Sequence, residues 1–483
     1  MRLRGSSVKV SEYADLDATS LAALVRRGEV TPAELAATAR EAVTAVNGAL
    51  NALAFPLYDE PLACAPDGPF AGVPFLIKDT GVAAGVAVSV GSRFLDGQVV
   101  PRDADIMARF RAAGLAAIGC TSVPELAISF ATESVRGGIT RNPWDLARGT
   151  GGSSGGAAAL VAARAVPVAH GNDGAGSIRV PAAACGLVGL KPTRGRTPAT
   201  PAESEGLYGL TYEFALTRSL RDCAALLDAT AGPALGAKYE ITGPARPYAR
   251  ELGEDPGRLR VGVMTAAWSG VPVDPACAQA ARRAASVLLD LGHEVDGAAP
   301  GVDAGALLRT YVALTTMAVG AELDRAGAEP SEERLEAVSR TALREARAMT
   351  GVQAAAGFTE FDVVLRAVCE YFRDYDLLVT PTLGRPAPPH GTLAYNDERH
   401  TMESWLASIF EIGPFTAAFN ISGHPAISLP LAQTADHVPL GVQIVARYGR
   451  EDLLFRVAAQ RERAMPGAGR RPPVDAGAPG EGS

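Results

Sequence analysis

The chain has 483 residues, 47% of them hydrophobic and 20% charged, with 52 glycines, 34 prolines and a formal net charge of −8. So large an apolar share with so small a charge imbalance excludes a disordered chain, because enough surface can be buried to offset chain entropy. An acidic balance with no clustered Lys/Arg face lacks the positive footprint that phosphate neutralisation demands, so no nucleic-acid partner is expected.

The opening MRLRGSSVKVSEYADLD carries basic charges with no apolar block or small-residue cleavage site behind them. It does not read as a secretory signal, and a cytoplasmic location is expected. Thr31-Pro32-Ala33-Glu34 has the cap, first-turn proline and third-position glutamate of a helix start, and predicts an Ala-rich helix to about Val46. VPFLI from Val73 and LAAIG from Leu115 read as short buried strands, as do RVGVM from Arg260, LLVT from Leu377, AISLPL from Ala426 and GVQIVA from Gly441. A helix is expected over 275–291, capped by Asp274 and stopped by Gly292. Strands alternating with helices predict an α/β fold, with a large mixed central sheet covered by helices on both faces and an N-terminal helical segment. The expected division is 1–67 for that segment, 68–465 for the catalytic domain and 466–483 for a disordered Pro/Gly tail. Between about Gly206 and Gly413 the pattern is weak.

The longest nearly apolar run, Ala157 to Ala169, is broken by Arg164 and Pro167. It falls short of the roughly 18 to 20 residues a membrane span requires, so no membrane partner is expected. Cys64, Cys120, Cys185, Cys223, Cys277 and Cys369 form no C-x-x-C, and read as small core residues in a reducing compartment. Only Lys9, Lys78, Lys191 and Lys238 are lysines among 45 basic residues. Arginine cannot lose its proton in a protein and lysine can, so each lysine inside an apolar segment is a candidate for proton chemistry.

The densest signal is GTGGSSGGAAALVAARAVPVAHGNDGAGSIRVPAAACGLVGLKPTRGR, from Gly149 to Arg196. The run Gly151 to Gly156 feeds a helix starting near Ala157, and a second glycine turn, Gly171 to Ser177, follows the strand VPVAH. Successive N–H groups in such a turn can form a nest for a developing oxyanion. The plain alternative is a flexible linker, which the flanking apolar strand and helix disfavour. A P-loop fails for want of its lysine, and Ser154 occupies the third glycine of a G-x-G-x-x-G. Gly151-Gly152-Ser153-Ser154-Gly155 matches the G-x-S-x-G elbow, which would make Ser153 the nucleophile with His390, His424 or His437 as base. A local triad of His170, Asp173 and Ser177 is a further reading, though three members within eight residues are hard to place in relay geometry.

The sequence from Gly151 to Thr193, GGSSGG, a helix, G-N-D-G-A-GS-I-R-V-P-A and C-G-L-V-G-L-K-P-T, resembles the amidase signature family. GPFAGVPFLIKD (from Gly68), TRNPWD (from Thr140), FNISGHPAISLPL (from Phe419) and GVQIVARYGRED (from Gly441) extend the likeness to most of the chain. Within the family the stretches look most like the 6-aminohexanoate cyclic dimer hydrolase type. The resemblance implies a Ser–cisSer–Lys triad with Ser177 as nucleophile, Ser153 as the bridging cis serine and Lys78 as base. It also implies an oxyanion hole of the Gly174, Ala175, Gly176 and Ser177 N–H groups, Ala175 standing where glycine is frequent. Lys78 ends an apolar strand, and desolvation disfavours ammonium, which agrees with a base; the alternative is a charge partner for Asp79.

Ser154, Asp173 and Arg179 are expected as supporting residues, Ser154 as a loop hydrogen-bonder and Asp173–Arg179 as a pair orienting the nucleophile turn. Lys191 is expected as a framework residue, and the histidines in structural or surface roles. The implied function is hydrolysis of a small-molecule amide through an acyl-enzyme on Ser177, with no cofactor and no metal, and with a homodimer allowed. Within the family the alternative is the glutaminase-type subunit of a tRNA-dependent amidotransferase, disfavoured because Val180 replaces the Gln usual after S-I-R. Outside it stand an esterase using Ser153 and a catalytically silent binding protein. Thr315 falls where the cyclic dimer hydrolases place a pocket cysteine.

Overall fold

In the computed structural model the described residues are 8–198, 205–329, 331–464 and 470–478. Their centre is one sheet of ten strands. In chain order the strands are β1 (Val73–Lys78), β2 (Leu115–Thr121), β3 (Val168–Asp173), β4 (Val188–Lys191), β5 (Tyr212–Thr217), β6 (Arg260–Val263), β7 (Glu294–Asp296), β8 (Leu377–Pro381), β9 (Ala426–Gln433) and β10 (Pro439–Ala446). Across the sheet they run β7-β6-β8-β10-β9-β4-β5-β3-β1-β2. β1 pairs parallel with β2 and β3, while β5 lies antiparallel to β3 and β4. The sheet is therefore mixed, as the alternation of strands and helices predicts. Strands β4, β5 and β7 lie outside the strands read from the sequence; β5 is buried at every position, so it shows no polar alternation to read.

The N-terminal helices, Val10–Asp15, Ala18–Arg26 and Pro32–Leu50, bury Leu21, Leu35, Val43 and Leu50 in the same core as the sheet. Thr31 caps the third of these through Glu34, and the helix runs one turn past the expected end. The chain after it covers the β2 edge, with Ala54 and Tyr58 N–H groups donating to the Cys120 and Ile118 carbonyls. The helix Pro275–Asp290 has Asp274 as its cap.

The glycine run is no linker. Its helix, Gly155–Ala162, is buried at every residue. A Cβ on Gly155 would stand 2.2 Å from both Thr132 and Thr150 Oγ1, and one on Gly156 would stand 2.5 Å from the Ala52 carbonyl. The glycines are there for close approach.

Three expectations need correction. Residues 470–478 of the tail, read as disordered, pack on the body: the Ala476 N–H donates to the Ala163 carbonyl and Asp475 pairs with Arg164 at 3.0 Å. Pro472 and Pro473 lower the chain entropy lost on ordering, and one buried ion pair anchors the segment. Cys369 is exposed and Cys64 half-buried, while the other four cysteines are buried and all six are free. Finally, the helix Ala304–Arg325 is long and apolar enough to cross a membrane by length and composition, and 56% of its apolar window is buried inside the fold. It packs on the helices Ala337–Ala348 and Gly351–Asp374, as a core helix does.

Candidate active site

Parallel pairing of β1 with β3 puts Leu76 beside Ala169, so the two strands end together and bring Lys78 to the turn after β3. Lys78 is wholly buried, and its Nζ lies 2.7 Å from Ser153 Oγ and 2.5 Å from Asn172 Oδ1. Burial pushes its pKa down to about 7, against the opposing pull of the Glu213 and Asp173 charges. Asp79 is not its partner, because that carboxylate accepts from Ser89 N–H and Oγ and from Gly91 N–H.

The Gly152–Ser153 peptide bond is cis. Gly152 has no room for a side chain, since a Cβ would meet the Ser129 carbonyl at 2.6 Å. Ser154 Oγ donates to the Asn172 carbonyl at 3.3 Å, the loop-bonding role expected of it.

Ser177 stands in the turn between β3 and the helix Arg179–Cys185, and retains 6% of its surface. Among the described residues its hydroxyl makes no hydrogen bond, to Ser153 or to any other group. The structure thus brings Lys78 and Ser153 into contact and leaves Ser177 Oγ unpaired. Around it the backbone polarity is sorted. The N–H groups of Gly174, Ala175, Gly176 and Ser177 donate to nothing among the described residues, while every carbonyl beside them is taken. Asn420 Nδ2 donates to the Asp173 carbonyl at 2.8 Å, Tyr311 Oη to Gly174 at 2.9 Å, Thr416 Oγ1 to Ala175 at 2.5 Å and Val180 N–H to Gly176 at 2.7 Å. Pinned carbonyls fix the peptide planes and leave four adjacent donors facing away from them, which suits an anion.

Beneath the turn, Arg179 donates to both Asp173 oxygens at 2.8 and 2.9 Å, to Gln443 Oε1 at 2.8 Å and to the Thr416 carbonyl at 2.9 Å. Burial alone would raise the Asp173 pKa, but the Arg179 charge and the bonds from Arg179 and Asn420 outweigh it and hold the value down at about 2, well below the usual carboxylate range. Asp173 also accepts from the Ile178 and Arg179 N–H groups, closing the turn onto the helix start. Lys191 lies 3.7 Å over the Tyr212 ring and donates to the Pro192 carbonyl. Burial and the Arg179 charge push its pKa well down.

The local triad fails, because His170 takes the Lys78 N–H on Nδ1 and meets Glu213 with Nε2. Two of the three histidines offered for the G-x-S-x-G reading are engaged elsewhere: His390 with Glu133 and the Leu146 carbonyl, and His424 stacked 4.6 Å from Phe372. Among the described residues no group of three His, Cys, Asp or Glu could hold a metal ion.

Sequence reasoning missed Tyr311, Thr416 and Glu213, while Asn172 stood in the quoted turn with its role unread. Asn420 and Gln443 lie within the quoted stretches FNISGHP and GVQIVA, and only their role went unread.

A serine thus stands beside a nest of free donors, with an amine-bound serine behind it, on a mixed sheet of ten strands, an arrangement suited to hydrolysis of an amide. The Amidase family model matches residues 34–455, and the chain belongs to that family. It is an amidase, hydrolysing the C–N bond of carboxylic amides. It is 42% identical over 476 residues, 94% of this chain and 96% of the relative, to the 6-aminohexanoate-cyclic-dimer hydrolase of Paenarthrobacter ureafaciens. The enzyme of that name from Pseudomonas sp. (strain NK87) is also 42% identical, over 478 residues, 94% of this chain and 96% of its own. A solved structure of 6-aminohexanoate cyclic dimer hydrolase with substrate superposes with a TM-score of 0.90 at 40% identity, covering 95% of this chain and 99% of that one. A bacterial aryl acylamidase shares the fold, at TM-score 0.82 and 23% identity over 94% of this chain and 96% of its own. The family match begins inside the helix Pro32–Leu50, so the N-terminal helices are partly within it.

Proposed function

We propose that the amide is cleaved through an acyl-enzyme on Ser177. Neutral Lys78 draws a proton from Ser153 as Ser153 takes one from Ser177. Ser177 Oγ attacks the amide carbonyl, and the N–H groups of Gly174 to Ser177 hold the oxyanion. Ser153 then returns a proton to the departing amine, the C–N bond breaks, and water attacks the ester by the same route in reverse. The carrying observation is the Lys78–Ser153 contact at 2.7 Å, with a buried amine whose pKa of about 7 leaves roughly half of it neutral at neutral pH. No cofactor takes part in this sequence of steps, and small-molecule amides are the substrate class. The cyclic dimer named for the relatives is the first candidate, supported by 42% identity over nearly the whole of both chains. A cytoplasmic location goes with this reading.

The test is covalent capture with a fluorophosphonate, followed by peptide mass mapping. The adduct is expected on Ser177, and lost in Ser177→Ala. An adduct on Ser153, with Ser177→Ala still labelled, would replace this mechanism by the elbow reading.

A further inference from the structure

Lys78 is gripped at both its backbone and its side chain by one closed chain of groups, His170 and Glu213 buried and Asn172 half-buried, that runs from the strands into the first residues of the glycine turn. Its N–H donates to Nδ1 of His170 at 3.2 Å, so that nitrogen is unprotonated and the ring proton sits on Nε2, 2.7 Å from Glu213 Oε2. The other Glu213 oxygen accepts from Asn172 Nδ2 at 3.2 Å. With its nitrogen committed there, the Asn172 amide can offer only Oδ1 to Lys78 Nζ, at 2.5 Å. The strand register builds this cluster. Glu213 on β5 stands opposite Asn172 on β3, and His170, two residues back, shares that face. His170 is fully buried and Glu213 nearly so.

A neutral lysine amine has two N–H groups and one lone pair. Asn172 Oδ1 takes an N–H, and the lone pair is left for the Ser153 hydroxyl at 2.7 Å. Were the Asn172 amide reversed, its NH₂ would compete for that lone pair and the base would be blocked. We propose that His170, Glu213 and Asn172 are positioning residues for the general base, locking the Asn172 amide so that Lys78 presents its lone pair to Ser153. The inference rests on the reading of Lys78 as the base.

The same chain sets a charge near the amine. Glu213 and Asp173 favour the ammonium, and the Asp173 charge is already matched by Arg179. Among the other groups packed on Lys78, Asp79 is turned to Ser89 and Gly91, and His170 faces it with an unprotonated nitrogen. The neighbouring strand β2 brings Cys120 and Thr121 alongside, and the helix Gly155–Ala162 contains no titratable residue. Glu213 is thus the one unmatched negative charge among these neighbours.

Two substitutions should move the base in opposite directions. Glu213→Gln removes the charge and frees the Asn172 amide to reverse. The acid limb of kcat/KM should move to lower pH by about half a unit or more, and kcat should fall roughly tenfold, with KM little changed because Glu213 itself lies on the neighbouring strand and not in the nucleophile turn. Asn172→Asp puts a carboxylate on the amine and should move the limb to higher pH by a similar amount. A merely structural role would lower activity or stability with the limb fixed. Folded variants, checked by circular dichroism, whose limbs coincide with wild type would overturn the proposal. If Glu213→Gln does not fold, an unmoved limb in Asn172→Asp overturns it alone. A wild-type profile with no limb would instead remove Lys78 as the base, and the proposal with it; the two failures are therefore told apart on the wild-type curve.

Discussion

At Gly176 the backbone φ is +148°, and a Cβ would stand 2.6 Å from Thr416 Oγ1, the atom that pins the Ala175 carbonyl. A methyl group there must displace Thr416 or turn the peptide, and either change swings free N–H groups off the proposed oxyanion position. Gly176→Ala is expected to lower kcat by about 10²- to 10³-fold with a much smaller change in KM, the loss typical of a missing oxyanion donor. Steady-state kinetics on one simple amide would check this, and a kcat within a few-fold of wild type would show that the nest does not stabilise the transition state. On the proposed mechanism Ala175 tolerates its methyl group by the same logic, because only its backbone donor would be called upon. The lysines sort in a parallel way: Lys78 and Lys191 are fully buried, yet only Lys78 touches a serine hydroxyl.

The elements differ in how far the sequence discloses them. β1, the two glycine turns and the helix after Ser153 were legible because each is local: the glycines, the serines and the lysine lie within their own short segments. The groups that fix the nucleophile turn come from far along the chain, Tyr311 from the helix Ala304–Arg325 and Thr416 from the turn before the helix Ala417–Ser422. A lone Tyr or Thr inside a helical stretch carries no periodic signal of a bond to a carbonyl more than a hundred residues away. Glu213 was invisible for a related reason, since β5 is buried on both faces and its one carboxylate reads as an irregularity until the partner strand is known. The tail was misread on composition. Asp475, with 6% of its side chain exposed, pairs with Arg164 at the end of the helix that Ser153 and Ser154 lead into. Asp475→Asn is expected to weaken folding by about 1 to 3 kcal/mol, softened because Asp15 also pairs with Arg164. Thermal unfolding should show a lower Tm with kcat/KM unchanged, and an unchanged Tm would mean the segment contributes nothing to stability.

On the scale of the whole molecule, the mixed sheet ends β1 and β3 side by side and sets a lysine where water cannot reach it. The fold thereby keeps an amine with its pKa lowered from 10.5 to about 7, by burial above all. Because the unfolded chain binds that proton more tightly, this residue lowers folding stability fully below about pH 7 and ceases to do so as pH rises toward 10.5. On the proposed mechanism, what the fold gains is a base that is partly neutral near pH 7. The most direct test is kcat/KM against pH for wild type and Lys78→Arg on one simple amide. Wild type should rise with pH through a midpoint near 7 and then level off. Arginine keeps the charge but stays protonated at every accessible pH, so Lys78→Arg should fall by roughly 10³-fold or more and lose the limb. A Lys78→Arg enzyme within about tenfold of wild type, a difference of only about 1.4 kcal/mol in transition-state stabilisation, would contradict the assignment of Lys78 as the base.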